Sequence, residues 1–541
     1  FNDWISLQGR YAIDYTNFDT FYSEALGTEH NVIGSISQNN YETNDNTRDI
    51  ILSLSPQINE DISLNVNLGG VQNPRNRYRY SASGSGFIVP GLFSVRNMAN
   101  RNPGDYEPRE LQTNALYGTA LIDYRGLLFV DLTLRNDWYS TLTNPLDPDG
   151  SENSALYGGG SVSLLFSEAF GLEDETFTFG KIRASYGVAG NGAPDPYELL
   201  LTYAIEGVPF NGNSLGRVAT GTFPGVGLVP TTTKSFEVGV DLRFFRNRVG
   251  LDLTYYRQNT VDQLFKASLP RPTSFSDYFL NAGDVENTGI EMALNLTPIR
   301  KNDLRWDLTF NFASNTNTVV ALSEGIDNLS GESARFNANL LSEVGGQVNS
   351  IYGTVLERTA DGRIVHDENG LPIIAAEREI LGNYQPDWYG GLNSNLTWKN
   401  WNLGILFDTK QGGEIFSITN QFALGNGSHP RTLVGRDSPD FTIVGEGVGP
   451  DGTSANGVAA PLDDYYGRIS NAAQESIFDA SYIKLRQLTL GYTFPNAWLS
   501  KTPFSDLSVS LTGRNLFFIQ NGLSDIGLDP EAVYNIGGGG F

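Results

Sequence analysis

The sequence predicts an all-β chain, a transmembrane antiparallel β-barrel. Three observations predict it. Apolar and polar residues alternate with period two along much of the 541 residues, the mark of a strand with two different faces. Helical spacing is nowhere sustained. The connections between alternating segments are tight and long by turns, the arrangement of outer-membrane barrels.

Sixteen candidate strands follow in order, near 4–15, 30–38, 48–56, 61–71, 111–124, 127–138, 155–167, 176–189, 232–244, 247–258, 284–297, 304–318, 387–398, 401–411, 480–494 and 506–517. Leu128, Val130, Leu132 and Leu134 oppose Asp131, Thr133 and Arg135. Phe236, Val238, Val240, Leu242 and Phe244 oppose Glu237, Gly239, Asp241 and Arg243. Leu251 and Leu253 oppose Asp252 and Thr254. Leu304, Trp306, Leu308, Phe310 and Phe312 oppose Arg305, Asp307, Thr309 and Asn311. Leu488, Leu490 and Tyr492 oppose Gln487, Thr489 and Thr493. Leu507, Val509 and Leu511 oppose Ser508, Ser510 and Thr512.

Tight connections are expected at Gln57–Glu60, Arg125–Gly126, Phe245–Arg246, Pro298–Asp303 and Lys399–Asn400. Long ones are expected at Gln72–Glu110, Gly190–Thr231, Val319–Pro386 and Gly412–Phe478. Long loops therefore gather at one end and short turns at the other, a sorting that a soluble sandwich has no reason to make. Thr16–Glu29 breaks the parity: it falls where a short turn belongs and is too long for one. An open sheet of this size exposes two edges, and in a bilayer only closure satisfies every backbone group. Apolar side chains then face lipid, and Asp, Arg, Thr and Asn face a wet lumen. Trp138, Tyr139, Trp388, Tyr389, Trp398, Trp401 and Tyr492 recur at strand ends, where interfacial aromatics belong.

Composition narrows the functional classes. Lysine plus arginine number 36 against 61 aspartate plus glutamate, for a net charge of −25. Phosphates repel such a chain, so no nucleic-acid partner is expected. With zero cysteines there is no disulfide framework, thiolate metal site or thiol catalysis. No apolar stretch is long enough for a transmembrane helix. The opening at Phe1 has no signal-peptide pattern. The glycine run before Phe541 does not alternate, and the chain reads as a segment truncated at both ends. No domain boundary interrupts 1–541, which is read as one partial barrel domain.

Few motifs carry chemistry. His30, His366 and His429 lack metal-ligand spacing. His366-Asp367-Glu368 lies between the turn signals Asp361-Gly362 and Asn369-Gly370 and reads as an exposed loop hairpin. Asp147-Pro148-Asp149-Gly150 and Asp463-Asp464 offer oxygen ligands for calcium, but without EF-hand spacing they read as solvated loop acid. Ser83-Gly84-Ser85-Gly86 and Gly158-Gly159-Gly160 lack the Gly-Lys-Ser/Thr of a phosphate loop. The second reads as room for a strand bend or a lumen plug. No catalytic residue, metal or cofactor is assigned. Aromatic residues in the long loops, Tyr78, Tyr80, Phe87, Tyr352, Tyr384, Tyr465 and Tyr466, are the candidate substrate contacts, because aromatic faces with nearby amides suit sugar rings or peptides.

The segment Asp479–Pro495, reading "DASYIKLRQLTLGYTFP", resembles the C-terminal signature of SusC/RagA-type TonB-dependent transporters of Bacteroidota. Leu134–Leu142, Gly180–Gly187, Asn281–Glu291, Gly382–Thr397 and Gly513–Leu516 resemble further motifs of that family, in order, from about Trp4 to Pro530. The resemblance implies a 22-stranded barrel closed by a plug, of which this chain holds the larger C-terminal part. Plug, TonB box and the first strands are expected upstream of Phe1, and a closing strand after Phe541. It implies import of oligosaccharides or peptides in the cell outer membrane, with long loops extracellular. It further implies a SusD-like surface lipoprotein as lid, and energy coupling by TonB–ExbB–ExbD through the N-terminal part. Outer-membrane lipid and lipopolysaccharide are its surroundings. Two alternatives stay open: a SusC-like barrel serving as scaffold in a larger outer-membrane assembly, and a barrel enzyme, for which no nucleophile motif speaks.

Overall fold

The computed structural model describes residues 3–531, except 29–30, 192–193, 206–209, 220, 226, 270, 274, 324 and 331–336. His30 and the glycine-rich segment 532–541 lie outside the described residues.

Among the described residues, fifteen strands form one antiparallel meander in which each hydrogen-bonds to the next in chain order. They are β1 (Ile5–Glu24), β2 (Ser35–Leu54), β3 (Ile62–Phe87), β4 (Met98–Tyr124), β5 (Leu128–Tyr139), β6 (Ser154–Leu164), β7 (Phe177–Asn191), β8 (Thr231–Phe244), β9 (Val249–Val261), β10 (Asp284–Lys301), β11 (Leu304–Ala321), β12 (Trp388–Trp398), β13 (Trp401–Gln411), β14 (Tyr482–Thr493) and β15 (Ser508–Asn521). Among the described residues no helix is long and apolar enough to cross a membrane.

The structure corrects two expectations. Segments 30–38 and 48–56 are one strand, β2, whose partners run from Glu24↔Ser35 to Ile5↔Leu54. The β1–β2 connection is therefore 25–34, at the long-loop end, and the broken parity disappears. Gln72–Glu110 is not a loop either. The β3–β4 ladder runs on to Phe87↔Met98. Alternation fades there because both faces turn polar, while the backbone ladder, indifferent to side chains, continues. Cross-strand pairs support it, Arg79 with Glu107 at 3.4 Å and Tyr78 stacked on Tyr106 at 5.8 Å, while Arg75 pairs with Asp45 of β2 at 2.7 Å.

The short turns are built as their sequence suggests. Arg125 and Gly126 adopt φ of 56° and 69°, and Lys399 adopts 52°. Arg125 also clamps the neighbouring turn, with Nε 2.9 Å and Nη2 3.1 Å from the Asp61 carboxylate. That hydrogen bond holds the Asp61 carboxyl below its usual range.

Two compact units divide the chain: Phe1–Leu164 with Ala184–Phe236 and Thr260–Gly283, and Leu165–Arg183 with Glu237–Asn259 and Asp284–Phe541. In the first, Leu142, Leu199, Leu228 and Phe279 make a small core among the connections. In the second, the two longest connections fold on each other. Helices α1 (Ile418–Gly425) and α2 (Leu462–Ser470) pack around Leu356, Leu424, Ala460, Tyr465, Tyr466, Ile469 and Ala472. Ser417 caps α1 by accepting the Asn420 N–H at 3.1 Å. Asp463 and Asp464 fill the first turn of α2, where carboxylates offset the helix dipole.

Register keeps the two faces apart across the strands. In the second unit Leu294, Phe310 and Leu392 share a row, as do Leu403, Leu490 and Leu511. On the polar face two glycines lie under tyrosine rings from the adjacent strand. A Cβ on Gly69 would sit 2.3 Å from the Tyr117 ring, and one on Gly289 2.4 Å from that of Tyr256. The rings lie flat along the wall because glycine leaves them the space.

After β15 the chain turns back over β14. Glu531 accepts hydrogen bonds from the Tyr482 hydroxyl at 3.2 Å and from Arg486 Nη1 at 3.1 Å, and pairs with Lys484. Burial pushes its carboxyl up, but hydrogen bonds from Arg486 and Lys484 outweigh this and hold it at about 2.

Two outcomes follow. Arginine at Leu308, on the apolar face, is expected to cost about 2–4 kcal/mol, and at Thr309, on the polar face, much less. Equal costs in a refolding assay contradict the assigned faces. The anchor made by Glu531 is present above the ordinary carboxyl value of 4.5 and is lost as pH falls through about 2. Amide protection in 522–531, the exchange rate relative to the free peptide at the same pH, should be the same at pH 5 and pH 8. Glu531→Gln should lower it by the equivalent of about 1–3 kcal/mol without disturbing the other strands.

Candidate functional site

The second unit carries a polar trough on the polar face of β7 to β14. Its floor is small: Ala293, Ala313 and Gly391, with Asn311 among them. Its walls are Arg183, Asp252, Thr254 and Glu291 on one side and Tyr389, Asp408 and Tyr482 on the other. The volume is about 570 Å³. A second depression of about 380 Å³ shares Thr254 and Glu291 and adds Glu237, Tyr256, Gln258, Asn287 and Asn315.

Local sequence builds each wall. Arg183 on β7 reaches across β8 to β9, donating from Nη1 to Asp252 at 3.0 Å and from Nη2 to Asp252 at 2.7 Å and Thr254 at 2.6 Å. The crossing needs Gly239 on β8, where a Cβ would stand 2.7 Å from Arg183 Nε. At the other wall, Arg486 donates from Nε to Asp408 at 3.0 Å and also binds Glu531. Tyr256 donates to Asn315 at 3.0 Å, and Asn315 to Asn287 at 3.1 Å. Charges and amides are held in place by cross-strand partners, with hydroxyl and carboxylate edges left toward the open side. Such a wall binds hydroxyls, amides and cations along a path. Among the described residues no group of three or more His, Asp or Glu is placed to hold a metal ion.

The sequence-predicted aromatics are dispersed. Tyr78 and Tyr80 lie on β3, not in a loop. By register they share the side of Leu64 and Leu68, opposite the polar face. Phe87 ends that strand, edge-on to Phe93 at 5.5 Å. Tyr352 is half-buried in the short strand Ser350–Gly353, and Tyr384 is 45% exposed. Tyr465 and Tyr466 are only 7% exposed each, inside the loop core, with the Tyr466 hydroxyl given to Arg431 O at 2.6 Å. Burial pushes both hydroxyls up.

His366 is fully buried, not exposed, with Nδ1 3.2 Å from Val448 O and its ring stacked on Tyr465. The turn signals around it hold: Asp367 accepts the Asn369 N–H at 2.8 Å, and Gly362 and Gly370 have φ of 87° and 75°. Burial comes from the second long connection, which the local sequence does not announce. Asp147 caps its own turn through the Gly150 N–H at 3.1 Å. Gly159 permits close strand approach, since its Cβ would stand 3.1 Å from Gly187 Cα. Sequence reasoning missed Arg183, Glu291, Asp408 and Arg486 as one site. Alternation put Asp252 on the polar face, but the pairing of Arg183 across an intervening glycine has no signal in one strand.

The family described as TonB dependent receptor-like, beta-barrel matches residues 1–516. TonB-dependent receptor P3 of Formosa agariphila is 27% identical over 86% of this chain and 47% of its own length. TonB-dependent receptor SusC of Bacteroides thetaiotaomicron is 25% identical over 81% of this chain and 44% of its own. The chain thus spans less than half the length of these curated relatives. The structure of the RagAB peptide importer in the "open-open" state superposes with a TM-score of 0.76 at 18% identity, covering 99% of this chain and 57% of that one. With the antiparallel meander and its two unlike faces, these matches establish that the chain belongs to the TonB-dependent receptor β-barrel family of the bacterial outer membrane, with SusC among its relatives.

Proposed function

We propose that this barrel portion serves TonB-dependent import of oligosaccharides or peptides across the outer membrane, together with a SusD-like surface lipoprotein. The observation that carries the reading is the trough. Its fixed carboxylates, amides and tyrosines line the lumen wall of the second unit, where a plug and a passing hydrophilic substrate need hydrogen-bonding partners. TonB, ExbB and ExbD act in this reading through the part of the relatives that lies beyond the match. Of the seven aromatics expected from the sequence, Tyr352 and Tyr384 are the ones we assign to substrate.

The folded loops of the second unit suit a lid. Their core fixes the backbone, and 433–444 presents Leu433, Val434, Phe441 and Val444 at 61%, 62%, 65% and 51% exposure. Apolar side chains held open on a rigid support mark a protein-contact surface.

The function is tested by uptake of labelled oligosaccharides and peptides in cells carrying the full-length protein. Uptake should stop when TonB is removed or the proton-motive force is collapsed. Uptake that continues unchanged defeats the reading. Leu433→Asp with Phe441→Asp should lower copurification of the lid lipoprotein about tenfold, equivalent to roughly 1.4 kcal/mol, while heat-modifiable migration stays normal.

A further inference from the structure

The trough of the second unit carries one anion and one cation left open, three strands apart. Strand register puts Glu291 of β10, Ala313 of β11, Tyr389 of β12, Lys410 of β13 and Tyr482 of β14 in one row across its long-loop side. The next row toward the short turns holds Ala293, Asn311, Gly391, Asp408 and Lys484. The charges of that lower row are matched: Asp408 pairs with Arg486, and Lys484 with Glu531. Those of the upper row are not. Among the described residues neither Glu291 nor Lys410 has a hydrogen-bond or ion-pair partner.

The groups around them are engaged elsewhere. Beside Glu291, Arg183 donates to Asp252 and Thr254, and the Tyr256 hydroxyl donates to Asn315. Glu237 shares the adjoining depression with Glu291, so that end of the row is the negative one. Asp479 and Glu414 act on Lys410 only from beyond contact. Asp479 accepts the Ser481 N–H at 2.9 Å, and Glu414 accepts the Asn383 N–H at 2.6 Å. Between the two open charges the wall is low. Ala313 contributes one methyl group, Gly391 no side chain, and Tyr389 an exposed ring. Asn311 is exposed in the lower row and has no partner among the described residues, so its amide offers both a donor and an acceptor.

The spacing is informative. Adjacent strands stand about 4.8 Å apart, so three intervals separate the backbones at Glu291 and Lys410 by about 14 Å. An extended peptide advances about 3.3–3.6 Å per residue. Four residues therefore span the gap, with an ammonium at one end and a carboxylate at the other. The flexible lysine stem takes up small differences in length. A neutral sugar leaves both charges unmatched. A uronic acid suits Lys410 but is repelled at Glu291, and a polyamine suits Glu291 but is repelled at Lys410.

We propose that this row selects short peptides with unblocked ends, about four residues long. The α-ammonium binds Glu291, the α-carboxylate binds Lys410, and a central peptide group pairs with Asn311. The proposal rests on the import reading and narrows its substrate from oligosaccharides or peptides to zwitterionic peptides.

The test is equilibrium dialysis of radiolabelled tetra-alanine against the full-length protein in detergent. Tetra-alanine should bind at least about tenfold more tightly than N-acetyl-tetra-alanine, tetra-alanine amide, di-alanine or maltotetraose, because each of these forgoes at least one charge-assisted hydrogen bond. Glu291→Gln should weaken tetra-alanine binding roughly tenfold and leave the acetylated peptide unchanged. Lys410→Met should do the same, with the amidated peptide as the one unchanged. A merely structural role would weaken blocked and unblocked peptides alike. Heat-modifiable migration checks that each variant folds, and the comparison of blocked with unblocked peptides needs no variant. Equal binding of blocked and unblocked tetra-alanine to the unaltered protein, or loss of both in the variants, overturns the proposal. TonB-dependent uptake of oligosaccharide without binding of tetra-alanine overturns this inference alone. Absence of TonB-dependent uptake of either class overturns the import reading beneath it.

Discussion

The backbone ladder is the constraint on which everything else depends. In hydrocarbon an unpaired amide costs several kcal/mol, so each strand must give all its donors and acceptors to its two neighbours. Once that is met, side chains project alternately to two media and need only suit each. This explains why Leu308 and Thr309, adjacent in sequence, belong to different environments. It also explains why the ladder of β3 and β4 outlasts the apolar band: pairing does not need apolar side chains, and beyond it β3 continues with Asn and Arg on one face and Asn and Tyr on the other.

On the polar face the difficulty is different. Long charged side chains crowd a concave wall, and glycine is what makes room. Gly239 lets Arg183 cross a strand to Asp252, and Gly289 lets the Tyr256 ring lie flat. The same residue therefore appears where the wall is most functional, and each instance has a named side chain over it. Fixed ion pairs such as Arg486 with Asp408 keep the trough polar without leaving its charges free to collapse on one another.

The connections obey the rules of soluble domains. Below the strands most are tight turns, and 165–176 and 494–507 each add one short helix. Above, the two longest bury Leu356, Leu424, Tyr465 and Ile469 together, and His366 goes inside with them. A loop of that length stays ordered only by building its own core. The apolar residues it cannot bury, Leu433 and Phe441 among them, stay at the surface.

Alternation by itself determined the class of fold, nearly every strand, the identity of the two faces and the sorting of connections. These are local: each follows from a few consecutive residues and the medium on either side. The merging of 30–38 with 48–56 was hidden, because Asn39–Thr47 is polar on both faces and carries no period-two signal. Tertiary structure alone decided the burial of Tyr465, Tyr466 and His366, and the meeting of Arg183 with Asp252. Each joins residues distant in the chain through strand register, and register is a property of pairs of strands that no single strand's sequence contains.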